Sequence, residues 1–292
     1  MAQRTDGAAI VLFLVLTVLF SAVFWTLMIG AGHVGAGGGR YVEGLMWCPA
    51  AAAFLTILVR RLDVNSLGLS TIGGTYALAG YVTPLVYATI AYALIWILGF
   101  GYFPNPDAIA KISTRLGWYI NGTASFVVLY FVLMATTAIV SGTAHALGEE
   151  IGWRGFLAPR LVSRTGFTWG AIITGIIWTA WHMPILLFAD YNSGTPWWFA
   201  LSCFSVMVVS LSVMLTWLRL RSNSVWPCAI FHGSHNLFIQ TFFTPLTGPH
   251  GTVTSYAVDE FGVAVPLVAL VAAIVFWIYR DRTADSPALG TA

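Results

Sequence analysis

Gly148-Glu149-Glu150-Ile151-Gly152-Trp153-Arg154-Gly155 places two adjacent carboxylates and an arginine in a sequence that is otherwise almost uncharged. Long apolar runs flank it on both sides. A charged side chain at membrane depth costs at least a few kcal/mol even on lenient insertion scales, so such residues mark a functional site by default. The competing reading is a helix that has already left the bilayer, with these charges in water.

Working outward, the 292 residues are 58% hydrophobic and 8% charged, against about 25% charged in soluble domains. A water-soluble globule is excluded. The composition predicts an all-α, polytopic membrane bundle of about eight transmembrane helices, forming one integral membrane domain over residues 1–292. Apolar runs at 8–29, 41–59, 76–100, 123–147, 167–188, 197–218, 225–243 and 261–279 supply the candidate spans. The first is too long for a signal-peptide core and reads as a retained span. The seventh is diluted by Pro227, His232, His235 and Asn236, so its polar face must meet other helices or water.

Alternating the spans from a cytoplasmic N-terminus gathers Arg4, Arg60, Arg61, Arg154, Arg160, Arg164, Arg219, Arg221, Arg280 and Arg282 on one side. Only Arg40, Lys111 and Arg115 fall on the other, so the positive-inside rule predicts both termini in the cytoplasm of a cell-membrane protein. The net charge of +2 says nothing about partners, and with no basic tract no nucleic acid is expected among them. Cys48, Cys203 and Cys228 stand alone and read as small buried residues. The glycine-rich stretch 30–40 has no strand before it and no Lys-Ser/Thr after it, so it reads as a flexible extracytoplasmic loop, not a phosphate cradle.

Depth can be counted along each helix at about 1.5 Å per residue. If Pro159 and Arg160 end the fourth helix on the cytoplasmic side, Glu149 lies about 16 Å inward. The same count puts His182 about 18 Å, His232 about 12 Å and Asn236 about 18 Å from that surface. Three separate helices thus bring carboxylates, imidazoles and an amide to one level, in the middle to cytoplasmic half of the membrane, and the expected cavity opens to the cytoplasm or laterally to lipid.

Spacing adds mechanical content. Glu150 and Arg154, four apart, can pair, which leaves Glu149 free to point elsewhere. Trp178 can wall His182, and His232 and Asn236 share a face. His145 stands four before Glu149 and can hydrogen-bond it, while His235 reads as a packing or supporting residue. Such a set can activate water, with a buried glutamate as general base and an imidazole sharing the proton. Donors on another helix would then stabilise the oxyanion of a peptide carbonyl under attack. Glu149, His182 and His232 also offer three ligand types that zinc accepts, although the His-Glu-x-x-His helix of zinc peptidases is missing.

These residues resemble the CAAX prenyl endopeptidase and bacteriocin-processing family of intramembrane proteases, also described as the Abi family. Its pattern is Glu-Glu-x-x-x-Arg, then Phe-x-x-x-His, then His-x-x-x-Asn or Asp on successive membrane helices. Glu149 to Arg154 matches the first motif and His232 to Asn236 the third, while the second reads Trp178-Thr179-Ala180-Trp181-His182 with tryptophan in place of phenylalanine. The resemblance covers a catalytic core at 123–243. It implies a glutamate-dependent endopeptidase in which Glu149 and His182 activate water, His232 and Asn236 bind the oxyanion, and Glu150 and Arg154 support them, with Trp178 as the aromatic wall. It implies no required cofactor, although the family has been called metalloprotease. The substrate would be a membrane-associated protein or peptide, lipidated C-a-a-X proteins included. Two other classes compete: a non-catalytic scaffold or bacteriocin-immunity protein of the same family, and a proton-coupled transporter. The transporter reading is weakened by the lack of an inverted repeat.

Overall fold

The computed structural model describes residues 2–192 and 194–283, with side chains from 7 to 281, so the side chains of Arg4 and Arg282 lie outside the described residues. Helices α1 (Ala2–Ala31), α2 (Arg40–Arg60) and α3 (Thr75–Ile97) fall on the first three predicted spans. The short α4 (Pro106–Leu116), which hydropathy does not signal, is started by Asn105, whose side chain accepts from the backbone N–H of Asp107. From Thr123 to Phe188 the chain is helical in one run: α5 (Thr123–Leu133), a widened π-type turn at Met134–Ala138, α6 (Ile139–Glu150), a second at Ile151–Leu157, and α7 (Ala158–Phe188). Inside α7, Gly166 takes φ 76°, a left-handed conformation that lets the chain reverse between the fourth and fifth predicted spans. The fourth helix therefore runs on past Arg160, where the sequence reading had ended it.

Helix α8 (Trp197–Ser222) falls on the sixth predicted span, and α9 (Trp226–Asn236) with a π-type segment Leu237–Phe243 falls on the seventh. Short turns α10 (Thr244–Leu246) and α11 (Val253–Ala257) lead to α12 (Ala264–Ile278). Strand β1 (Gly101–Tyr102) pairs antiparallel with β2 (Gly248–Pro249). Among the described residues, five helical stretches, at 7–31, 36–60, 75–97, 123–188 and 197–222, are long and apolar enough to cross a membrane. The chain is thus a multi-pass membrane protein, and Val11, Leu19, Leu58, Leu78, Val140 and Val271 give its exterior an apolar face.

Small residues set the helix spacing around Glu149, as expected where lipid removes the hydrophobic drive for helix association. A Cβ on Gly148 would come 2.7 Å from the Met46 carbonyl oxygen, and one on Gly152 would come 2.4 Å from Pro49 Cβ. These glycines, four apart, let α2 lie against the carboxylate turn. On the other side α6 and α9 touch backbone to backbone, since a Cβ on Gly233 would stand 2.7 Å from the Gly142 carbonyl carbon. Replacing Gly233 by Ala must push apart the helices carrying Glu149 and His232, at a cost of about 1–3 kcal/mol. A lowered unfolding midpoint in detergent is the expected outcome, and an unchanged midpoint would contradict this packing.

Candidate active site

Glu149 and Glu150 end α6 where the helix widens, and both are buried. Glu150 Oε1 accepts from Arg154 Nη1 at 3.0 Å, so the predicted pair one turn apart forms. The same oxygen accepts from His232 Nδ1 at 2.9 Å, which ties α6 to α9. The Arg154 guanidinium lies 4.1 Å from the centre of the Trp178 ring. Glu149 turns the other way: its Oε2 accepts from Trp178 Nε1 at 2.7 Å and from Trp153 Nε1 at 3.3 Å. Trp178 is therefore more than the wall the sequence suggests, because its indole N–H orients the carboxylate.

His182 Nδ1 donates to the Trp178 carbonyl oxygen at 2.9 Å. With that proton fixed, Nε2 carries the lone pair in the neutral ring. The ring packs edge-on against Trp181 and Phe204 and parallel to Tyr191. His232 is held alike, with Nδ1 on Glu150 and its ring edge-on to Trp178 at 5.2 Å. Glu149, Trp178, His182, His232 and Asn236 line one cavity of about 140 Å³, room for a few waters at about 30 Å³ each. The three helices thus bring these side chains to one cavity, although the depth counted for Glu149 does not hold, because its helix runs on past Arg160.

Another expectation needs correction. His145 does not reach Glu149; it sits half-exposed, 3.7 Å from Glu43. Among the described residues no group of three His, Cys, Asp or Glu side chains converges as a ligand set, and Glu149 is gripped by two indoles.

The sequence reading missed Glu260, which precedes α12 and lines the cavity while 3% exposed. Its Oε1 accepts from His235 Nε2 and from Gln240 Nε2, each at 2.9 Å. His235 Nδ1 in turn meets the Tyr87 hydroxyl. One carboxylate thus holds two residues that flank Asn236 on its own helix. An acidic residue just ahead of an apolar helix was the available signal, but nothing in the spacing tied it to α9.

At the rim of the cavity, which Val34 and Tyr191 help to line, Asp190 joins the loop after α1 to the loop after α7. It accepts from Val34 N at 2.6 Å and from His33 Nδ1 at 2.5 Å. The Val34 N–H first, then the His33 ring, hold the Asp190 carboxyl below its usual range.

Because the folded-state value is lowered, the Asp190 tie stands at neutral pH and is lost as pH falls through and below the ordinary carboxylate value of about 4. Amide exchange at residues 33–35 should accelerate over that range and be fast at all pH in Asp190→Asn. For Glu260, the expectation is that Glu260→Ala frees Asn236 and lowers kcat more than it raises KM in a peptide-cleavage assay. Wild-type kcat in that variant would remove the positioning role.

Residues 125–238 match the family model described as type II CAAX prenyl endopeptidase Rce1-like. A curated relative, CAAX prenyl protease 2 of Methanococcus maripaludis, is 29% identical over 117 residues, which is 38% of this chain and 38% of that protein. The chain therefore spans well under half of that relative's length, but the matched region carries all three motifs on α6, α7 and α9. On those motifs, and on the segment that holds them, this chain is similar to the Rce1-like CAAX protease family.

Proposed function

We propose that the protein is an intramembrane endopeptidase that cleaves a membrane-associated protein or peptide by glutamate-activated water. The observation that carries this is the shared cavity, in which a tightly oriented carboxylate faces two imidazoles and an amide. The match of residues 125–238 to the type II CAAX prenyl endopeptidase model supports the same reaction class. Both termini are assigned to the cytoplasm on the arginine bias.

In the proposed reaction, Glu149 takes a proton from water while the Nε2 lone pair of His182 accepts the water's other O–H. The oxygen adds to the peptide carbonyl carbon, and the carbonyl oxygen becomes an oxyanion. Asn236 donates to it from its amide. His232 can donate from Nε2 only when it carries a second proton, since Nδ1–H is already engaged by Glu150. The proton held by Glu149 passes to the amide nitrogen, the C–N bond breaks, and an amine and a carboxylic acid form; the acid gives its remaining proton, the one facing His182, to the amine or to water and leaves as a carboxylate. Arg154 offsets the Glu150 charge, so the His232 ring is held without a second unpaired carboxylate.

Purified protein incubated with a quenched-fluorescence peptide library, with and without a chelator, tests this. Glu149→Gln should remove cleavage with the unfolding midpoint unchanged. Asn236→Ala should lower kcat by about 10²–10³, as for loss of one oxyanion donor. Cleavage retained in Glu149→Gln would withdraw the base and leave the scaffold reading.

A further inference from the structure

Helix α4 follows α3 at the end of the bundle opposite Arg219 and Arg221, and neither it nor the segment after it lines the cavity. It turns Ala108, Ile109 and Ile112 inward, where they pack on the apolar core, and leaves Asp107, Lys111, Thr114 and Arg115 exposed. A helix divided in this way is suited to lie in the plane of a bilayer surface. Trp118 and Tyr119 follow directly, and Tyr119 is 96% exposed, as fits a tyrosine placed among lipid headgroups.

Trp118, Tyr119 and Ile120 form one wall of an open groove, and the other wall is the outward stripe Leu129, Val132, Leu133 and Thr136 of α5. Leu129 and Val132 are each about half exposed. The stripe runs about 10 Å along the helix. Its one hydroxyl, on Thr136, is spent on the Val132 carbonyl oxygen. Two cations stand at the head of this groove. Arg115 lies two residues before Gly117, which lines it, and its charge is felt at the Tyr130 hydroxyl on α5. Lys111, the only lysine of the chain, is four residues earlier on the same face. Like charges so spaced repel one another on a helix. Among the described residues neither cation joins a carboxylate, and Asp107, four before Lys111, is the sole acid on α4. The positive-inside bias leaves three cations at this end, and two of them sit on this one short helix. By contrast, no charged residue lines the groove that Phe20, Phe24, Gly44 and Trp47 form between α1 and α2.

We infer that α4 and α5 form a binding site for an anionic glycerophospholipid of the surrounding leaflet, with its phosphate between Lys111 and Arg115 and an acyl chain along residues 129–136. The cations select the headgroup, and the apolar stripe selects a lipid over a free anion. Each basic side chain near a membrane surface contributes about fivefold to affinity for anionic lipid, so the pair supplies about 25-fold. The site stands whether or not the protein cleaves peptides.

The purified full chain in phosphatidylcholine nanodiscs tests this, with a trace of phosphatidylglycerol or of phosphatidylcholine carrying a diazirine on its acyl chain. After photolysis, adducts on residues 129–136 should be about 25-fold more abundant with the phosphatidylglycerol probe, whereas the groove between α1 and α2 should take both probes alike. The double variant Lys111→Gln/Arg115→Gln should bring the two yields together without moving the unfolding midpoint, since both side chains are exposed. Lys111→Gln alone should lower the preference by about fivefold. Equal yields in the wild type, or a preference that survives the double substitution, overturns the inference. Inorganic phosphate, compared with chloride at matched ionic strength, should leave the phosphatidylglycerol adduct in place. Its loss would show that the cations hold a free anion, and would equally overturn the lipid site.

Discussion

Everything at the centre of this protein depends on burying the Glu150 and Arg154 charges, both with no exposed side-chain surface. Desolvating such a pair is costly, and removing one partner typically costs about 3–5 kcal/mol. The surrounding structure shares that cost among three helices. His232 brings a donor from α9, and Trp178 brings a ring face from α7, 4.1 Å from the guanidinium. The glycines at 148 and 152 let α2 close over the same turn. The pair therefore does more than neutralise itself: it fixes where α6, α7 and α9 cross, and with them the positions of Glu149, His182 and His232.

The widened turns belong to the same arrangement. One follows Glu150 directly and another follows Asn236 directly. Such bulges concentrate at functional sites because they re-aim side chains without ending the helix. Across the first, Arg154 still meets Glu150 and Trp153 still meets Glu149, each four residues on. The second is bracketed by His235 and Gln240, both held by Glu260.

Much of this was legible in the sequence, for identifiable reasons. Hydropathy located the membrane helices because lipid demands long apolar runs, and spacing of four paired Glu150 with Arg154 because helical geometry is local. What was not legible depended on long-range registration. That His232 would share Glu150 with Arg154 requires knowing how α9 slides along α6, which Gly142 and Gly233 decide. Glu260 lies 25 residues beyond His235, across a loop with no periodic signal. The end of the fourth helix was misjudged because charge marked Arg160, whereas the chain turns at Gly166, where the backbone can adopt φ 76°.

Trp178 shows how a departure from a family pattern can carry physical content. Phenylalanine at this position would supply an aromatic face and nothing more. The indole adds an N–H, and that N–H contacts Glu149 Oε2 at 2.7 Å, on the same oxygen that Trp153 reaches from one turn along. Two rigid donors on one oxygen fix the carboxylate plane and leave Oε1 without an indole partner. Water between Glu149 and His182 would then meet an acceptor whose direction is set before substrate arrives, which is the preorganisation that general-base chemistry needs. The indole also ties Glu149 to the cation: the ring that orients Glu149 is the ring beneath Arg154, the partner of Glu150.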